Sequence, residues 1–242
     1  IFTMEVLVII QARMGSKRLP GKIMRKIEGK SVLEHIITSL KFSTEMSKLI
    51  VATTSNSEDD VIEELAKKLN VLCFRGSRLD VLDRFYQCAK KYQGNLIVRI
   101  TADCPLIEPT ILDSAIKLCK NGEYDYCSNM IHQTYAMGYL VEVITFETLE
   151  KLHKNNLDPF NREHITPDIR MNPEKYKIIE LLLPNNLDRH HWRLTLDYEE
   201  DFQLITKIFS HLYNPDSYIK YESVVQLLDN HPNLLEINKM YL

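Results

Sequence analysis

The chain has 242 residues, a formal net charge of −3 and an apolar fraction of 45%, values that are typical of an ordinary globular protein. This length allows one substantial hydrophobic core. No apolar run approaches the roughly 20 residues that a membrane-spanning helix needs, and the five cysteines form no C-x-x-C pair. A slightly acidic chain is also unlike a general nucleic-acid-binding protein. Composition therefore predicts one cytoplasmic domain over residues 4–242, without a nucleic-acid or membrane partner, and leaves residues 1–3 outside it.

The first half of the chain alternates short β-branched apolar runs with longer segments of helical period. Strands are predicted at 5–10, 48–53, 71–74 and 96–100. A helix is predicted to begin at Ser31, because Glu34 three residues later completes a capping-box pattern. Further helices are predicted from about residue 57, at 80–92 and at 109–120. Strands connected by helices predict an α/β fold with a Rossmann-like, mostly parallel sheet flanked by helices.

The rhythm of the chain changes at about residue 125. Strand-like runs at 139–144 and 176–183 enclose a polar stretch around 155–161, and we interpret residues 125–190 as a small inserted lobe. The alternation then resumes, with a strand predicted at 192–196 and a helix at 199–212. Asp197 is therefore predicted to lie directly after the end of a strand.

A basic, glycine-containing segment follows the first predicted strand. Between Gln11 and Lys30 lie seven basic residues, opposed only by Glu28, and three of the chain's seven glycines. Open α/β sheets bind ligands at this position. Glycine lets backbone N–H groups approach phosphate oxygens, and the arginine fork matches phosphate geometry. The segment therefore predicts a phosphate loop, and its candidate phosphate-binding side chains are Arg13, Arg18 and Lys22.

A solvated basic loop is the alternative interpretation of the same charge run. The segment also matches neither the P-loop pattern nor G-x-G-x-x-G. Strand position, glycine clustering and positive charge nevertheless coincide here, which favours a nucleotide-binding loop.

Four motifs together resemble the acylneuraminate and deoxyoctulosonate cytidylyltransferases, and are most similar to the F-type branch of spore-coat polysaccharide biosynthesis proteins. The resemblance covers roughly residues 5–210. The motifs are Ala12-Arg13-x-Gly15-Ser16-x-Arg18-x-Pro20-Gly21-Lys22, Thr101-Ala102-Asp103-Cys104-Pro105-Leu106, Arg162-Glu163-His164-Ile165-Thr166-Pro167 and Leu196-Asp197-Tyr198-Glu199-Glu200-Asp201-Phe202.

This resemblance implies a fold like that of the nucleotide-diphospho-sugar transferases and a homodimer formed through the inserted lobe. It implies transfer of CMP from CTP to a sugar acid or another small acidic acceptor, in surface or spore-coat polysaccharide biosynthesis. Asp103 and Asp197 are implied as ligands of Mg²⁺, an ion that prefers oxygen donors, although a turn or helix-capping role for Asp103 stays open. Arg13 and Lys22 are implied as the catalytic cations.

The resemblance also implies a set of nucleotide contacts and a set of acceptor contacts. For Thr53, Ser55, Arg75 and Gly76, helix capping and turn formation stay open as alternatives. The nucleotide-binding set comprises Gln11, Ala12, Arg13, Gly15, Ser16, Arg18, Lys22, Thr53, Ser55, Arg75, Gly76 and Asp103. The acceptor-binding set comprises Arg99, Asn129, Glu142, Glu163 and His164.

Two departures from the family patterns concern the acceptor. Ile23 stands where the sialate-type enzymes commonly have asparagine, which argues against a sialic acid. Leu140 stands where F-type relatives often have aspartate, so a carboxylate is missing near the expected acceptor. Both departures leave the phosphate loop and the two aspartates intact, so they change the expected acceptor and not the reaction.

Two other functions are compatible with the same pattern. A glycosyltransferase that uses a nucleotide sugar would share the sheet and the divalent metal, but it usually carries an Asp-x-Asp motif, and only Asp103 stands in the corresponding segment. A non-catalytic nucleotide-binding protein would be expected to have lost Lys22 or one of the aspartates, and all three are present.

Overall fold

The computed structural model describes residues 4–242, so residues 1–3 lie outside the described part of the chain. Its centre is a seven-stranded sheet with the strand order β5-β4-β1-β6-β8-β7-β9. The strands are β1 (Val6–Gln11), β4 (Lys48–Thr54), β5 (Leu72–Gly76), β6 (Leu96–Thr101), β7 (Tyr126–Ser128), β8 (Glu142–Thr145) and β9 (Ile178–Glu180). A separate small hairpin pairs β2 (Lys26–Ile27) with β3 (Lys30–Ser31).

Helices connect the strands and cover the sheet. They are α1 (Val32–Leu40), α2 (Asp60–Lys68), α3 (Val81–Lys91), α4 (Pro109–Gly122), α5 (Phe146–Asn155), α6 (Pro159–His164), α7 (Pro167–Met171), α8 (Glu199–Leu212) and α9 (Tyr221–Asn230). The predicted start of α1 is confirmed, since Ser31 is its N-cap and the Ser31 hydroxyl accepts a hydrogen bond from the Glu34 N–H at 3.2 Å. No helix within residues 4–242 combines the length and the apolar character that a membrane span requires.

The first four strands of the sheet run parallel, and the second half of the chain makes the sheet mixed. β1 pairs in parallel with β4 and β6, and β4 pairs in parallel with β5. β8 is antiparallel to β6 and to β7, and β9 is parallel to β7. The predicted α/β class with a mostly parallel sheet is therefore confirmed. Residues 125–190 extend this same sheet by three strands and pack helices against it, so they share its core.

Alternating residues of the strands divide the core between two faces of the sheet. Val8 and Ile10 of β1 lie on one face of the sheet, where they pack with buried residues of α1, α4, α8 and α9. Leu7 and Ile9 pack against the opposite face, which buries residues of α3 and α5. Gln11, the last residue of β1, follows Leu7 and Ile9 onto the second face, because side chains alternate along a strand. Polar side chains thus begin where the apolar ladder ends.

Candidate active site

The segment after β1 forms a loop that is fixed to the neighbouring strand and helix. The Ala12 N–H donates to the Ala52 carbonyl at 3.1 Å, which extends the parallel ladder by one residue. The Met14 N–H donates to Asp59 Oδ1 at 2.7 Å. Asp59 is completely buried and also accepts a hydrogen bond from the Thr54 hydroxyl. The carboxylate of Asp59, whose role the sequence did not reveal, therefore ties the loop to the β4–α2 junction.

The end of the loop turns sharply and directs Lys22 inwards. Gly21 has φ +66°, a left-handed conformation that glycine adopts without the Cβ clash of other residues. A single 3-10 turn, Lys22–Met24, begins immediately after it. Leu19 is buried beneath the loop and anchors it to the core. Lys22 consequently lies under the loop with only 12% of its side chain exposed.

The Lys22 amine is the centre of a polar cluster that joins distant parts of the chain. Its Nζ donates to the Leu196 carbonyl at 2.6 Å, to Asp197 Oδ1 at 3.0 Å and to Asp103 Oδ2 at 3.3 Å. The structure therefore brings together the lysine and both aspartates that the sequence singled out. Their roles in catalysis and metal binding stay predictions.

The backbone places Asp197 beside Asp103. The Leu196 N–H donates to the Asp103 carbonyl at 2.8 Å, and the Thr195 hydroxyl donates to the same oxygen at 3.2 Å. The predicted strand at 192–196 is wrong, since this extended segment forms one isolated bridge, between Met137 and Arg193. Gly138, next to Met137 of this bridge, has φ +117° and lies against the backbone of Leu194, so the segment that faces residues 192–196 is not extended beyond the bridge.

Two more cations and one more carboxylate surround Asp197. Arg18 donates to Asp197 Oδ1 at 2.6 Å, and Arg193 donates to Asp197 Oδ2 at 2.8 Å. Arg193 also contacts Asp201, which is fully buried and accepts the Asp197 N–H at 2.9 Å. Burial alone would raise the pKa of Asp197, but Lys22, Arg193 and Arg18 outweigh burial and hold that pKa below its ordinary value. Asp197 therefore carries a negative charge at neutral pH.

The sequence did not identify Arg193 or Asp201 as members of this cluster. Asp201 lies in the first turn of α8, where acidic residues commonly cap exposed backbone N–H groups, and this pattern was the available signal. No comparable sequence signal marks Arg193. Both residues hold Asp197 in position from the side opposite Lys22.

The donor set at Asp103 and Asp197 fits a divalent ion that is shared with phosphate groups. Among residues 4–242, no group of three or more His, Cys, Asp or Glu side chains converges in the manner of a metal site built from protein alone. Mg²⁺ is commonly held by one or two carboxylates, with phosphate oxygens and water completing its shell. Asp103 is the more accessible carboxylate, with 30% of its side chain exposed against 10% for Asp197. To bind the ion, Asp197 would have to give up one of its contacts with a cationic side chain.

A cavity of about 220 Å³ opens beside the two aspartates, and we call it the β6–β8 cavity. Arg99 and Glu142 form its polar wall on these two strands. Its remaining lining residues include Thr101, Asp103, Cys104, Met130, Met137, Gly138, Leu140, Thr195 and Asp197. A small molecule in this cavity would therefore contact the cluster around Lys22.

Glu142 fixes Arg99 at the wall of this cavity. Arg99 Nη1 donates to Glu142 Oε2 at 2.6 Å, and Arg99 Nε and Nη2 each lie 3.3 Å from Gln11 Oε1. The Tyr126 hydroxyl donates to Glu142 Oε1 at 2.6 Å, and the Thr166 hydroxyl donates to the same oxygen. Burial opposes ionisation of Glu142, yet Arg99 and these hydrogen bonds hold its pKa below the ordinary value. Glu142 is thus a buried carboxylate that orients Arg99.

The residues predicted to contact base and ribose lie at the ends of β4 and β5. Thr53 is buried, and its hydroxyl has no hydrogen-bond partner among residues 4–242. The Ser55 N–H donates to the Gly76 carbonyl at 3.0 Å. Arg75 donates to the Thr54 and Asn56 carbonyls and pairs with the carboxylates of Asp60 and Glu63. The side chain of Arg75 therefore braces the β4–α2 connection.

Three residues predicted to contact the acceptor lie away from the lining of the β6–β8 cavity. Asn129 is fully buried, where its amide donates to the Tyr139 carbonyl and accepts from the Val141 N–H. Both ends of its amide bond to backbone groups, so the side chain of Asn129 fixes the local path of the chain. Glu163 and His164 are exposed on α6, and the His164 ring packs against Phe160. Residues 162–167 reach the cavity wall through Thr166, which bonds to Glu142.

A mixed α/β sheet, a basic loop after β1 and a lysine between two aspartates define the architecture of a nucleotidyltransferase. The family model described as Cytidylyltransferase matches residues 7–239. The spore coat polysaccharide biosynthesis protein SpsF of Bacillus subtilis is 30% identical over 237 residues, which cover 95% of this chain and 96% of SpsF. The chain belongs to the cytidylyltransferase family.

Two further relatives are similar to this chain over nearly its full length. The uncharacterized protein MJ1063 of Methanocaldococcus jannaschii is 40% identical over 237 residues, with 97% of this chain and 95% of that protein covered. The structure of a cytidylyltransferase from Leptospira borgpetersenii superposes with a TM-score of 0.91 at 36% identity, covering 96% of this chain and 97% of that one. The chain is thus a nucleotidyltransferase by family.

Proposed function

We propose that the protein transfers CMP from CTP to a small sugar acid or another acidic or phosphorylated acceptor, releases pyrophosphate and requires Mg²⁺. The observation that carries this proposal is the position of Lys22. Its amine lies at the end of the phosphate loop and within 3.3 Å of both Asp103 and Asp197. A single region of the surface therefore offers backbone, cations and carboxylates to a triphosphate. Membership of the cytidylyltransferase family supports CTP as that triphosphate.

The reaction is an in-line displacement at the α-phosphorus. An acceptor oxygen forms the new bond to this phosphorus, while the bond to the bridging oxygen breaks and the electron pair leaves with pyrophosphate. Lys22, whose side chain is mostly buried, and Arg13, which is exposed on the loop, would neutralise charge on the phosphoryl and leaving oxygens. When bound at Asp103 and Asp197, Mg²⁺ would add positive charge at the same oxygens. Positioning and electrostatics suffice for phosphoryl transfer, so no side-chain nucleophile is required.

The β6–β8 cavity is the proposed site of the acceptor. It adjoins Asp103 and Asp197, so a molecule within it would lie next to the reacting phosphate. Arg99 offers a fixed guanidinium to a carboxylate or phosphate of the acceptor. Met130, Met137 and Leu140 add apolar surface to the walls, which suits an acceptor with an apolar substituent.

The biological setting is proposed from the relatives. SpsF is by its printed name a spore coat polysaccharide biosynthesis protein, which supports a role in surface or spore-coat polysaccharide formation for this chain. A cytoplasmic location and a homodimer formed through residues 125–190 stay predictions. Neither bears on the chemistry at Lys22.

Binding of the four nucleoside triphosphates, measured by calorimetry with and without Mg²⁺, tests the proposed substrate. We expect selective binding of CTP that weakens about 10-fold or more in Lys22→Ala, because a charged hydrogen bond contributes about 1.5–3 kcal/mol. In Asp103→Asn, CTP binding should no longer respond to Mg²⁺. Lys17→Ala is the matched control, since Lys17 lies on the same loop but is exposed. Tight binding of a nucleotide sugar, without binding of any triphosphate, would favour a glycosyltransferase instead.

A further inference from the structure

Arg84 is a buried arginine at the edge of the nucleotide region. It lies on α3 with 1% of its surface exposed, and its Nη1 donates to the Ser77 carbonyl at 2.9 Å. Its side chain crosses Gly76, where an added Cβ would lie 2.9 Å from Arg84 Cγ. Only a glycine at this position leaves the arginine room. The guanidinium is therefore held at the turn that follows the carboxyl end of β5.

Two of the three nitrogens of this guanidinium have no hydrogen-bond partner in the described part of the chain. Nε and Nη2 of Arg84 are buried and unpaired among residues 4–242, although five N–H donors are normally satisfied in a buried arginine. These two nitrogens form one side of the guanidinium fork, and their N–H bonds point in parallel. A bound group with two adjacent acceptor atoms would satisfy both at once.

The order of the strands indicates which part of a nucleotide reaches this fork. The phosphate loop follows β1 at the centre of the sheet, and the β6–β8 cavity lies on one side of it. β4 and β5 lie on the other side, and Arg84 lies at the end of β5. If phosphates occupy the centre and the acceptor occupies the cavity, the nucleoside extends towards β4 and β5. Arg13 also lies near this region, because its charge, after burial, contributes to lowering the pKa of Arg84 to about 10.

We propose that the free Nε and Nη2 of Arg84 donate to O2 and N3 of cytosine and thereby select CTP over UTP. This inference rests on the proposed function. Cytosine presents two adjacent acceptors, O2 and N3, on the edge that proteins read by hydrogen bonding. Uracil carries a hydrogen on N3, so it would place a donor against a buried donor and leave that donor unpaired, which is costly. Neither nitrogen is exposed in this conformation, so binding of the base requires the groups that cover the fork to move.

The first test changes the ligand and leaves the protein intact. In 3-deaza-CTP the N3 acceptor is replaced by C–H, so one of the two proposed hydrogen bonds is lost. We expect this analogue to bind the wild type about 10- to 100-fold more weakly than CTP, the range for a hydrogen bond to a charged donor. Equal affinity for CTP and 3-deaza-CTP would overturn the proposal.

The second test changes Arg84. In Arg84→Gln the amide offers one donor and one acceptor, a pattern that suits uracil better than cytosine, so the ratio of CTP to UTP affinity should fall at least about 10-fold. This change of ratio is a result that simple loss of folded protein would not produce. Lys90→Gln is the matched control, because Lys90 lies exposed on the same helix and the same charge is removed. The control should keep the wild-type ratio.

The outcomes separate this inference from the proposed function. If the wild type selects CTP but Arg84→Gln weakens all four triphosphates equally, the fork binds phosphate or supports the fold, and the assignment to cytosine is wrong while the proposed function stands. If the wild type binds no triphosphate, both are overturned. Selective loss of CTP in Arg84→Gln, together with weak binding of 3-deaza-CTP, supports the assignment.

Discussion

Replacing Glu142 by Gln removes the negative charge that compensates Arg99 at the wall of the β6–β8 cavity. Glu142 is 2% exposed and accepts hydrogen bonds from Arg99, Tyr126 and Thr166. The new amide keeps one acceptor oxygen but presents an N–H group to donors. Arg99 would then keep its contacts with Gln11 alone.

The expected loss of stability is large for a change of so few atoms. Removing one partner of a buried ion pair costs about 3–5 kcal/mol. Because Arg99 keeps its contacts with Gln11 and 13% of its side chain is exposed, we expect the lower end of this range, about 3 kcal/mol. For a chain of this length, 3 kcal/mol corresponds to a fall in Tm of roughly 6–12 °C.

The loss should also depend on pH, because the folded chain holds the pKa of Glu142 below its ordinary value. A lowered carboxyl pKa contributes stability that is present above the ordinary value of about 4.3 and is lost as the pH falls through the folded value. The difference between wild type and Glu142→Gln should therefore be full at neutral pH and shrink below about pH 4.

Urea unfolding followed by circular dichroism at pH 7 and at about pH 3, below the ordinary carboxyl pKa, measures both effects. Glu147→Gln is the control, since Glu147 is an exposed glutamate that pairs with Lys151 on the surface of α5, and we expect no measurable change. Equal stability of wild type and Glu142→Gln at pH 7 would show that Glu142 does not compensate Arg99. A difference that is the same at both pH values would refute the ionised state of Glu142.

Three further predictions concern the loop, its tether and the partly buried thiol of Cys73. Lys22→Met should lower the rate of CMP transfer from CTP about 100-fold, which is the loss typical of one donor to the transition state. Lys17→Met, at an exposed position on the same loop, should leave this rate unchanged. Equal rates of pyrophosphate release by Lys22→Met and the wild type would contradict the role of Lys22. Asp59→Ala should raise the KM for CTP about 10-fold with little change in kcat, because the Met14 N–H loses its charged acceptor. Steady-state kinetics measure both constants, and an unchanged KM would show that Asp59 does not hold the loop in its binding conformation. Burial raises the pKa of Cys73 to about 11. An aromatic disulfide reagent at pH 8 should therefore modify Cys73 slowly in the native protein and quickly in urea. Fast modification of Cys73 in the native protein would contradict this raised pKa.

Much of the fold follows from local patterns in the sequence. The helix at 199–212 was predicted with the same limits that α8 has, because acidic residues mark its start and its apolar period is uninterrupted. The four parallel strands were placed within one or two residues, and three of them, β1, β4 and β6, are short, largely buried runs rich in β-branched residues. Elements whose stability is local or whose burial is complete leave clear signals.

Elements that depend on distant partners were harder to predict. Residues 192–196 alternate like a strand, yet they form a single bridge, because the segment opposite them leaves the extended conformation at Gly138. The mixed half of the sheet has strands of three or four residues, β7, β8 and β9, whose pairing is set by tertiary contacts. A periodicity argument cannot see either effect.

The site shows the same division. The meeting of Lys22 with Asp103 could be expected, because both come after parallel strands whose carboxyl ends gather at one edge of the sheet. Asp197 was expected there for the wrong reason, since no strand of the described chain directly precedes it and the Leu196 N–H bond to the Asp103 carbonyl places it. The hydrogen bonds of the Asn129 amide to backbone groups could not be predicted, because the path of the chain determines that Tyr139 and Val141 lie beside it. The unpaired fork of Arg84 likewise becomes visible only when its neighbours are in place.

Release of pyrophosphate from CTP in the presence of a panel of sugar acids and phosphorylated sugars tests the central claim most directly. The account predicts that at least one acceptor yields pyrophosphate and a CMP-linked product in equal amounts, that Mg²⁺ is required, and that Lys22→Ala loses the activity. Transfer of a sugar from a nucleotide sugar, with release of a nucleoside diphosphate and no consumption of CTP, would contradict it.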